Sequence, residues 1–307
     1  MIYNKYTRKK KKVKIGLYGT IKYLFSNLSR KQKYIAILTD RALRKKGLKD
    51  RLFSAIEIET VNRCNGKCSF CPVSLGNDKR EYKKMSNELF SKIIDELKGL
   101  NYSGDLALFS NNEPFIDDRI VDFARQAREQ LPHAHIYLYT NASLLTIEKF
   151  KAIIEHLDEM IIDNYNDNLE FNPNVSTIKA YIESNSELNE KVKIHLRKEN
   201  EVLFSRGGNA PNKKNNKSLS MSCILPFVQM IVRPDGRISL CSNDAYGQVT
   251  LGDLNYQTLE EVWFGQNYIE LRQALSKGRK NVDLCRFCDS TFYPGQFGIK
   301  VKGDKKQ

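Results

Sequence analysis

The chain has 307 residues, of which 41% are hydrophobic and 10% aromatic, so it can bury a substantial core and wholesale disorder is excluded. No stretch approaches the roughly 18–20 consecutive apolar residues that a membrane-spanning helix requires. The basic stretch near the N-terminus is not followed by an apolar core and a small-residue cleavage site, so no secretory signal is expected. These features predict a cytoplasmic protein.

Basic charge is concentrated at the N-terminus. Residues 1–51 hold 17 Lys and Arg against two Asp, a net charge of +15, whereas the remainder has a net charge of −1. Apolar residues recur there at helical spacing and predict a basic amphipathic helix; they are Ile21, Leu24, Phe25 and Leu28. Such a helix either packs on the body of the protein, or binds an acidic partner, or inserts these side chains into an anionic membrane surface at the inner face of the membrane.

Seven cysteines, an odd number in a chain predicted to be cytoplasmic, argue against a disulfide framework. They form two groups separated by residues 72–222, which contain no cysteine. Cysteines placed only for packing would not cluster in this way. The sequence therefore predicts two metal sites, one from Cys64, Cys68 and Cys71 and the other from Cys223, Cys241, Cys285 and Cys288.

Strand-like and helix-like segments alternate between residues 52 and 205. Strands are predicted at 55–60, 105–109, 135–140, 159–163 and 191–197. Helices are predicted at 86–97, 117–130, 146–156 and 175–186. Five strands alternating with helices imply a parallel sheet with right-handed crossovers, either open or curved towards a barrel.

Polar side chains or cysteines follow every predicted strand, where a fold of this kind gathers its functional groups. Turn chemistry alone accounts for some of them, because Asn and Asp favour turns. The positions are Arg63 and Cys64, residues 111–114, Thr140 and Asn141, Asp163 and Asn164, and Arg197.

A stretch rich in Gly, Asn and Lys at 206–218 is a strong linker signal. Beyond it, residues 227–241 predict a β-hairpin that turns at Pro234-Asp235-Gly236 and brings Cys223 close to Cys241. Helix-like segments that return the chain to the last two cysteines follow at 259–264 and 269–275. Four thiolates in two pairs fit structural zinc and an iron–sulfur cluster about equally, so both remain open for this set.

The first cysteine set reads Cys64-Asn-Gly-Lys-Cys68-Ser-Phe70-Cys71. Three thiolates on one loop can hold three irons of a cubane cluster and leave the fourth iron without a protein ligand. Zinc fits less well, because a closed zinc site takes four ligands and no histidine lies nearby in the sequence. The motif, with Phe70 and its place after the first strand, resembles that of the radical S-adenosylmethionine (SAM) enzymes.

This resemblance implies that the open iron chelates SAM and that reductive cleavage of SAM gives a 5′-deoxyadenosyl radical. Asn111-Asn112-Glu113-Pro114 stands where the family usually has Gly-Gly-Glu-Pro, and departs from it at both glycines. Thr140-Asn141-Ala142 is similar to the family's Thr-Asn-Gly. The cofactor-binding residues implied are Phe70, Asn112, Glu113, Pro114, Thr140, Asn141, Asp163 and Arg197.

The second cysteine set, placed after such a core, resembles the SPASM/twitch extension, and four cysteines suit the shorter twitch form with one auxiliary [4Fe–4S] cluster. The fold implied is α/β, a partial (β/α)6 TIM-type barrel with a small C-terminal cysteine-rich module and a basic helical N-terminal extension. The expected divisions are the extension at 1–51, the radical SAM core at 52–205, a linker at 206–220 and the SPASM/twitch module at 221–307.

An electron-accepting cluster beside a radical-generating site implies a radical SAM oxidoreductase of the dehydrogenase type. Twitch enzymes of the aminocyclitol-antibiotic type oxidise a secondary alcohol to a ketone, so a sugar, cyclitol or nucleotide-sugar substrate is expected. Arg197 and Arg206 are the candidate catalytic residues, and each could equally be a structural arginine. A reducing protein such as flavodoxin or ferredoxin is expected as a partner.

Two other functions remain open on the sequence. Many SPASM proteins modify peptides or proteins, often with an N-terminal peptide-binding module, but residues 1–51 are short and basic for such a module. The other alternative is a zinc-stapled protein that binds nucleic acid through its basic segment. Since the cysteine pattern favours the enzyme, no nucleic acid is expected as a partner.

Overall fold

The computed structural model of the chain describes residues 28–45, 47–48, 50–215, 217–292, 294–297 and 299. Its strands are β1 (Ala55–Ile58), β2 (Asp105–Ala107), β3 (His135–Thr140), β4 (Glu159–Tyr165), β5 (Val192–Arg197), β6 (Gln229–Val232), β7 (Arg237–Ser239) and β8 (Thr250–Asp253). They form one sheet in the order β5-β4-β3-β2-β1-β6-β7-β8. Strands β1 to β6 pair in parallel, and β7 and β8 are added antiparallel.

The α-helices of the described residues are α1 (Arg30–Leu43), α2 (Asn87–Gly99), α3 (Ile120–Gln130), α4 (Ile147–Ile154), α5 (Pro173–Glu183), α6 (Leu259–Trp263), α7 (Gln266–Ser276) and α8 (Asp283–Arg286). The predicted series of five strands with alternating helices is thereby confirmed. Side-chain caps begin five of these helices: Ser29, Ser86, Thr146, Asn172 and Thr258 each accept a hydrogen bond from the amide three residues on.

The strands separate two kinds of side chain onto the two faces of the sheet. One face packs under the helices and is apolar, with Ile56, Leu106, Ile136 and Met160 fully buried in the main hydrophobic core. Alternate residues point to the opposite face, and there β1, β3, β4, β5 and β6 place Glu57, Tyr137, Asp163, His195 and Gln229. The strands at the two ends of the sheet, β5 and β8, do not pair with each other, so the sheet stays open, as a partial barrel requires.

Strand β6 differs from the expectation in its partner. The predicted hairpin is confirmed, and Gly236 has the positive φ of +83° that its turn requires. However, β6 also pairs in parallel with β1, so this strand of the C-terminal region extends the core sheet. Its four residues Gln229–Val232 are all buried, as is typical of a strand covered on both faces. The core therefore runs continuously from the first strands into the C-terminal region.

The described part of the N-terminal segment packs on the body of the protein. Leu28, Ile35 and Ile37 form a small core with Met221, and Ala42 packs in a second one near Phe227. Ser29 starts α1 with a reciprocal capping box to Gln32. Leu28 therefore follows the first of the three alternatives, packing on the body of the protein, since this side chain is buried.

The other three apolar positions of the predicted amphipathic helix, Ile21, Leu24 and Phe25, lie outside the described residues. Within the described part of the chain, no helix is both long and apolar enough to cross a membrane.

Candidate active site

The loop after β1 carries the first three cysteines and folds back on itself. The Gly66 amide donates a hydrogen bond to Cys64 Sγ at 3.3 Å. The Cys71 amide donates to the Cys68 carbonyl oxygen at 3.1 Å. A Cβ atom added at Gly66 would lie 3.4 Å from Cys64 Sγ and 3.8 Å from Cys68 Sγ. Because these two sulfurs flank one backbone position, the loop turns its thiols towards a common space.

The thiols of this loop disfavour one another's ionisation. Burial raises the pKa of Cys64 to about 12, and the charges of Glu113 and Cys71 act in the same direction. Burial likewise raises the pKa of Cys68, and Cys71 and Cys64 add to the shift. Thiols in such surroundings become thiolates together only beside a strong positive charge, which a set of iron ions supplies.

The arrangement of side chains distinguishes a cluster from a single ion. Across the described residues, no group of three or more His, Cys, Asp or Glu side chains could hold one metal ion. A tetrahedral zinc ion with bonds of about 2.3 Å needs its sulfur ligands within about 4 Å of one another. Thiolates on different irons of a cubane cluster stand further apart. The first loop offers three thiols, one fewer than a closed zinc site takes, and three thiolates suit a cubane cluster with one open iron.

Glu113 connects three of the predicted strand-end segments. Its amide donates to the Arg63 carbonyl oxygen at 2.9 Å. Its carboxylate accepts hydrogen bonds from Thr140 Oγ1 at 2.7 Å, the Asn141 amide at 2.8 Å and the Phe115 amide at 3.2 Å. The side chain is only 1% exposed, and burial raises its pKa to about 7. Glu113 thus joins the segments that follow β1, β2 and β3.

Three further predicted residues lie around this carboxylate. Pro114 opens the buried turn Pro114–Ile116. Asn141 Nδ2 donates to Asn65 Oδ1 at 3.0 Å and joins the end of β3 to the cysteine loop. Asn112 Oδ1 accepts from the Ser110 amide at 2.9 Å, whereas Asn112 Nδ2 is buried without a hydrogen-bond partner. This unpartnered donor fits an acceptor on a ligand, such as a carboxylate.

Phe70, Asp163 and Arg197 are brought together around Tyr165. The Phe70 and Tyr165 rings lie 5.7 Å apart, and the Arg197 guanidinium lies 5.6 Å from the Tyr165 ring centroid. Asp163 Oδ1 is 2.9 Å from His195 Nδ1, and Asp163 Oδ2 is 3.7 Å from Arg197 Nη1. The ends of β4 and β5 therefore reach the cysteine loop through an aromatic contact.

The two candidate catalytic arginines differ in how they are engaged. Arg197 Nη2 donates to Glu201 Oε2 at 2.6 Å, so its charge is already paired. Arg206 has a left-handed φ of +50° and directs Nη2 to Asn111 Oδ1, while its Nε is buried without a partner. A non-glycine residue held at such a φ is strained, and strain of this kind concentrates at functional sites. The structure thus favours Arg206.

Glu57 is a buried carboxylate that strand ends alone do not reveal. It lies on the polar face of β1, where Glu57 Oε2 accepts from Ser110 Oγ at 2.7 Å and Oε1 accepts from Gln229 Nε2 at 2.6 Å. Burial raises its pKa to about 7, although the positive charge of Arg206 lowers it. Phe109 and Tyr137, with ring centroids 5.6 Å apart, are further side chains of this polar face.

The other four cysteines converge in the C-terminal region. None of them forms a disulfide, and Cys241, Cys285 and Cys288 are buried while Cys223 packs against the main core. Burial raises the pKa of Cys241 strongly, and all three other cysteines raise it further. The Cys288 amide donates to the Cys285 carbonyl oxygen at 3.2 Å. The hairpin and α8 thus deliver four thiols to one buried place.

Two family models match this chain, the radical SAM superfamily over residues 58–193 and the SPASM iron–sulfur cluster-binding domain over residues 223–289. The chain belongs to the radical SAM superfamily. Its cofactors are SAM and [4Fe–4S] clusters. The residues present fit these groups: the first cysteine loop offers three thiols, the last four cysteines offer a saturated set, and Asn112 Nδ2 offers an unpartnered donor nearby in sequence.

This radical SAM protein is 26% identical over 243 residues to the S-adenosyl-L-methionine-dependent 2-deoxy-scyllo-inosamine dehydrogenase of Niallia circulans, covering 78% of the chain and 94% of that enzyme. It is also similar to the crystal structure of BtrN in complex with AdoMet and 2-DOIA, with 25% identity, a TM-score of 0.67 and the same coverage of 78% and 94%. Native anSMEcpe with bound AdoMet shares the fold at 14% identity and a TM-score of 0.50, covering 78% and 92%.

The further candidate side chains that the strand-end positions do not include all lie within strands. Glu57, Tyr137, Tyr139 and His195 belong to the polar face of the radical SAM sheet. Their signal was the alternation of apolar with charged or aromatic residues, which predicts that one face of each strand meets something other than the core.

Proposed function

We propose that this protein is a radical SAM dehydrogenase that oxidises a secondary alcohol of a cyclitol, an aminocyclitol or a related sugar. The observation that carries the proposal is the second set of four cysteines, three of them buried and the fourth packed against the main core. Four thiolates saturate a [4Fe–4S] cluster, so such a cluster can accept an electron but has no iron free for substrate. The similarity to a dehydrogenase over 94% of that enzyme's length supports the same reaction class.

Cys64, Cys68 and Cys71 are the proposed ligands of the SAM-binding cluster, and the last four cysteines are the proposed ligands of the auxiliary cluster. When bound, SAM and its cluster would supply removal of a hydrogen atom from the carbinol carbon, and the auxiliary cluster would supply an acceptor for the remaining electron. A base of the protein takes the hydroxyl proton, which balances oxidation of an alcohol to a ketone. Asn112 Nδ2 is the proposed donor to the SAM carboxylate, and Glu113 keeps the surrounding loops in place. Asp163, with its neighbour Arg197, is proposed to bind the nucleoside part.

The substrate is proposed to bind on the polar face of the sheet, near Arg206 and Glu57. Gly207 and Gly208 follow Arg206, and added Cβ atoms would lie 2.9 Å from Leu284 Cδ1 and 3.1 Å from Phe287 Cβ. Both glycines therefore lie close to the segment that carries Cys285 and Cys288. We propose that this places the Arg206 side chain between the two cysteine sets.

Arg206 and Glu57 differ in the chemistry that they offer there. The unpartnered Arg206 Nε suits it to donate to a substrate hydroxyl. A Glu57 pKa of about 7 suits this carboxylate to accept a proton at neutral pH. We therefore propose that Arg206 orients the alcohol and that Glu57 takes its proton.

The test begins with anaerobic purification and analysis of iron and sulfide, where two clusters require about eight iron ions per chain. The protein is then reduced with dithionite and incubated with SAM and ring-deuterated aminocyclitols, including 2-deoxy-scyllo-inosamine. We expect one ketone per 5′-deoxyadenosine, with deuterium transferred to the nucleoside. SAM cleavage without any ketone, together with modification of a peptide in parallel reactions, would replace this proposal by the peptide-modifying alternative.

Two proposed partners go with this function. The SAM-binding cluster needs an electron from a reducing protein, for which flavodoxin or ferredoxin is proposed. The basic residues of segment 1–27 are proposed to bind an anionic membrane surface from the cytoplasmic side, because this segment holds eight of the 17 Lys and Arg of residues 1–51 and no Asp or Glu.

A further inference from the structure

Arg279 is a buried arginine whose charge has no carboxylate partner in the described structure. Its side chain is 1% exposed and is among the largest fully buried side chains. Nη1 donates to the Cys288 carbonyl oxygen at 3.3 Å and to the Ser290 carbonyl oxygen at 2.8 Å. Nε and Nη2 are buried without any hydrogen-bond partner. A buried guanidinium left in this condition is costly unless an anion completes it.

The neighbours of Arg279 indicate which negative charge balances its guanidinium. Arg279 Nη1 bonds to the carbonyl oxygen of Cys288, and the same short segment carries Cys285. Among the described residues, no Asp or Glu lies within ion-pair distance of Arg279. The negative charge that faces this guanidinium is therefore that of the four cysteines and of the cluster they are proposed to hold.

The local backbone holds Arg279 in this place. It begins the short turn Arg279–Asn281 between α7 and α8, directly after Gly278, whose φ of +120° is open only to glycine without strain. The Arg279 side chain also bonds to the carbonyl of Cys288 itself. Arg279 is thus fixed by the same segment that delivers the last two cysteines.

We infer that Arg279 tunes the auxiliary cluster by donating its Nε–H and Nη2–H groups to cluster or cysteine sulfurs and by placing a buried positive charge beside them. A four-thiolate cluster is negatively charged and gains a further negative charge on reduction, so a fixed cation favours the reduced form. Hydrogen bonds to the sulfurs act in the same direction. Arg279 thereby raises the reduction potential and makes electron uptake easier; this consequence rests on the electron-accepting role proposed above.

Arg272 provides a matched control. It is also buried in the C-terminal region, and it too has one unpartnered nitrogen, Nη2. Its Nε donates to the Pro226 carbonyl oxygen at 2.9 Å, and its guanidinium lies 4.1 Å from the Trp263 ring centroid. Burial lowers its pKa to about 10, with Tyr268 as the opposing influence and no cysteine involved. Arg272 is therefore a buried arginine of the same region without a sulfur partner.

The test is an EPR-monitored redox titration of the full-length protein carrying both clusters, without substrate, so that it does not depend on the proposed dehydrogenase activity. The auxiliary cluster is followed through the signal that SAM addition leaves unchanged. We expect Arg279→Gln to shift its midpoint potential to a more negative value. Arg279→Lys, which keeps the charge but loses two donors, should shift it less in the same direction, and Arg272→Lys should leave it unchanged.

The inference is overturned if Arg279→Gln holds the cluster at the wild-type potential, or if Arg272→Lys shifts the potential as far as Arg279→Lys does. Should Arg279→Gln lose the cluster, the comparison of the two lysine variants decides the question, and equal potentials in wild type and Arg279→Lys overturn it. Loss of ketone formation with normal potentials would instead count against the proposed function and leave this inference standing.

Discussion

The two cysteine sites of this protein are built in opposite ways. The first lies on a loop at the end of β1, where Cys64 and Cys71 are only partly buried and the neighbouring loops are joined by polar side chains such as Glu113 and Asn141. The second lies against the main hydrophobic core, with Cys241 and Cys285 counted among its buried members. A site that must admit a ligand is held by hydrogen bonds at an open edge, whereas a site that exchanges only electrons is enclosed.

The contrast extends to the number of thiols and to their charge partners. The loop site offers three cysteines and an unpartnered amide donor on Asn112. The enclosed site offers four cysteines and the buried guanidinium of Arg279, which has two unpartnered nitrogens. An open iron position suits a neutral hydrogen-bond donor, which can bind the incoming cofactor. A saturated site suits a fixed positive charge instead. Substitutions at each site should therefore have different effects.

The largest effect is expected at the loop site. Cys64→Ala removes one of three ligands, so the open-iron geometry is lost and no 5′-deoxyadenosine should be detectable after reduction with dithionite. Ser69→Ala on the same loop is the control and should retain cleavage, because it loses only the hydrogen bonds that Ser69 Oγ donates to the Glu199 carbonyl oxygen and accepts from Asn212 Nδ2. Measurable 5′-deoxyadenosine from Cys64→Ala would break the assignment of the first site.

Loss of the enclosed site should separate cleavage from product formation. We expect Cys285→Ala to keep the first cluster and to cleave SAM, but to form little ketone because no acceptor takes the last electron. The variant should also unfold at a lower temperature, because a metal site contributes to folding free energy and Cys285 belongs to the core. Iron analysis, nucleoside and ketone yields and thermal unfolding are measured on one preparation. Full ketone yield from protein that lacks the second cluster would reduce that site to a structural role.

Substitution of Glu57, which is proposed to lie near the substrate, is expected to have an effect of intermediate size on ketone formation. With a pKa of about 7, its carboxylate is ionised above that pH and protonated below it, so ketone formation should rise as pH increases through about 7. Glu57→Gln should remove this rise with pH. It should also lower the rate of ketone formation by about 100-fold or more, the usual contribution of a general base.

Glu59→Gln is the matched control for that pH profile. Burial raises the pKa of Glu59 to about 7 as well, but its Oε1 is paired with Arg80 Nη1 at 3.0 Å. This variant should retain the rise with pH. A pH profile that is identical in wild type and Glu57→Gln would show that another group takes the proton.

The smallest effect is expected from the N-terminal segment, which belongs to neither site. Deletion of residues 1–27 should leave both clusters intact and abolish co-sedimentation with anionic vesicles at low salt, since each Lys or Arg near such a surface adds about 1 kcal/mol. Replacement of the Lys and Arg of residues 8–14 by Gln in the full chain should weaken binding in the same way. Equal recovery of all forms in the supernatant would end the membrane proposal.

Much of the fold was accessible from sequence because each strand and helix carries a local signal. The helices predicted from residues 86 and 146 are capped at Ser86 and Thr146 in the structure, and the turn at Gly236 marks the hairpin. The helix predicted from residue 175 begins two residues earlier, at Pro173. The partner of β6 was not accessible, because pairing of Ala55 with Gln229 joins positions far apart in the chain and depends on tertiary packing. Local patterns specify that a strand exists but not which edge it joins.

The candidate site shows the same limit. The cysteines and the strand-end residues follow from spacing, since a motif on one loop brings its own members together. Arg206 and Glu57 come together only through the fold: one lies in a loop with left-handed backbone and the other within β1. Sequence offered no reason to prefer Arg206 over Arg197, because the difference is that Arg197 is already paired with Glu201.

The pairing of β1 with β6 has a consequence for the order in which the protein is assembled. During synthesis, the strand that leads into the first cysteine loop emerges long before β6, so β1 completes its hydrogen bonding only after Gln229–Val232 has left the ribosome. Stable iron loading of the first loop is then a late event that waits for nearly the whole chain. If iron is supplied more slowly during expression, short nascent fragments should therefore be affected no more than the finished protein.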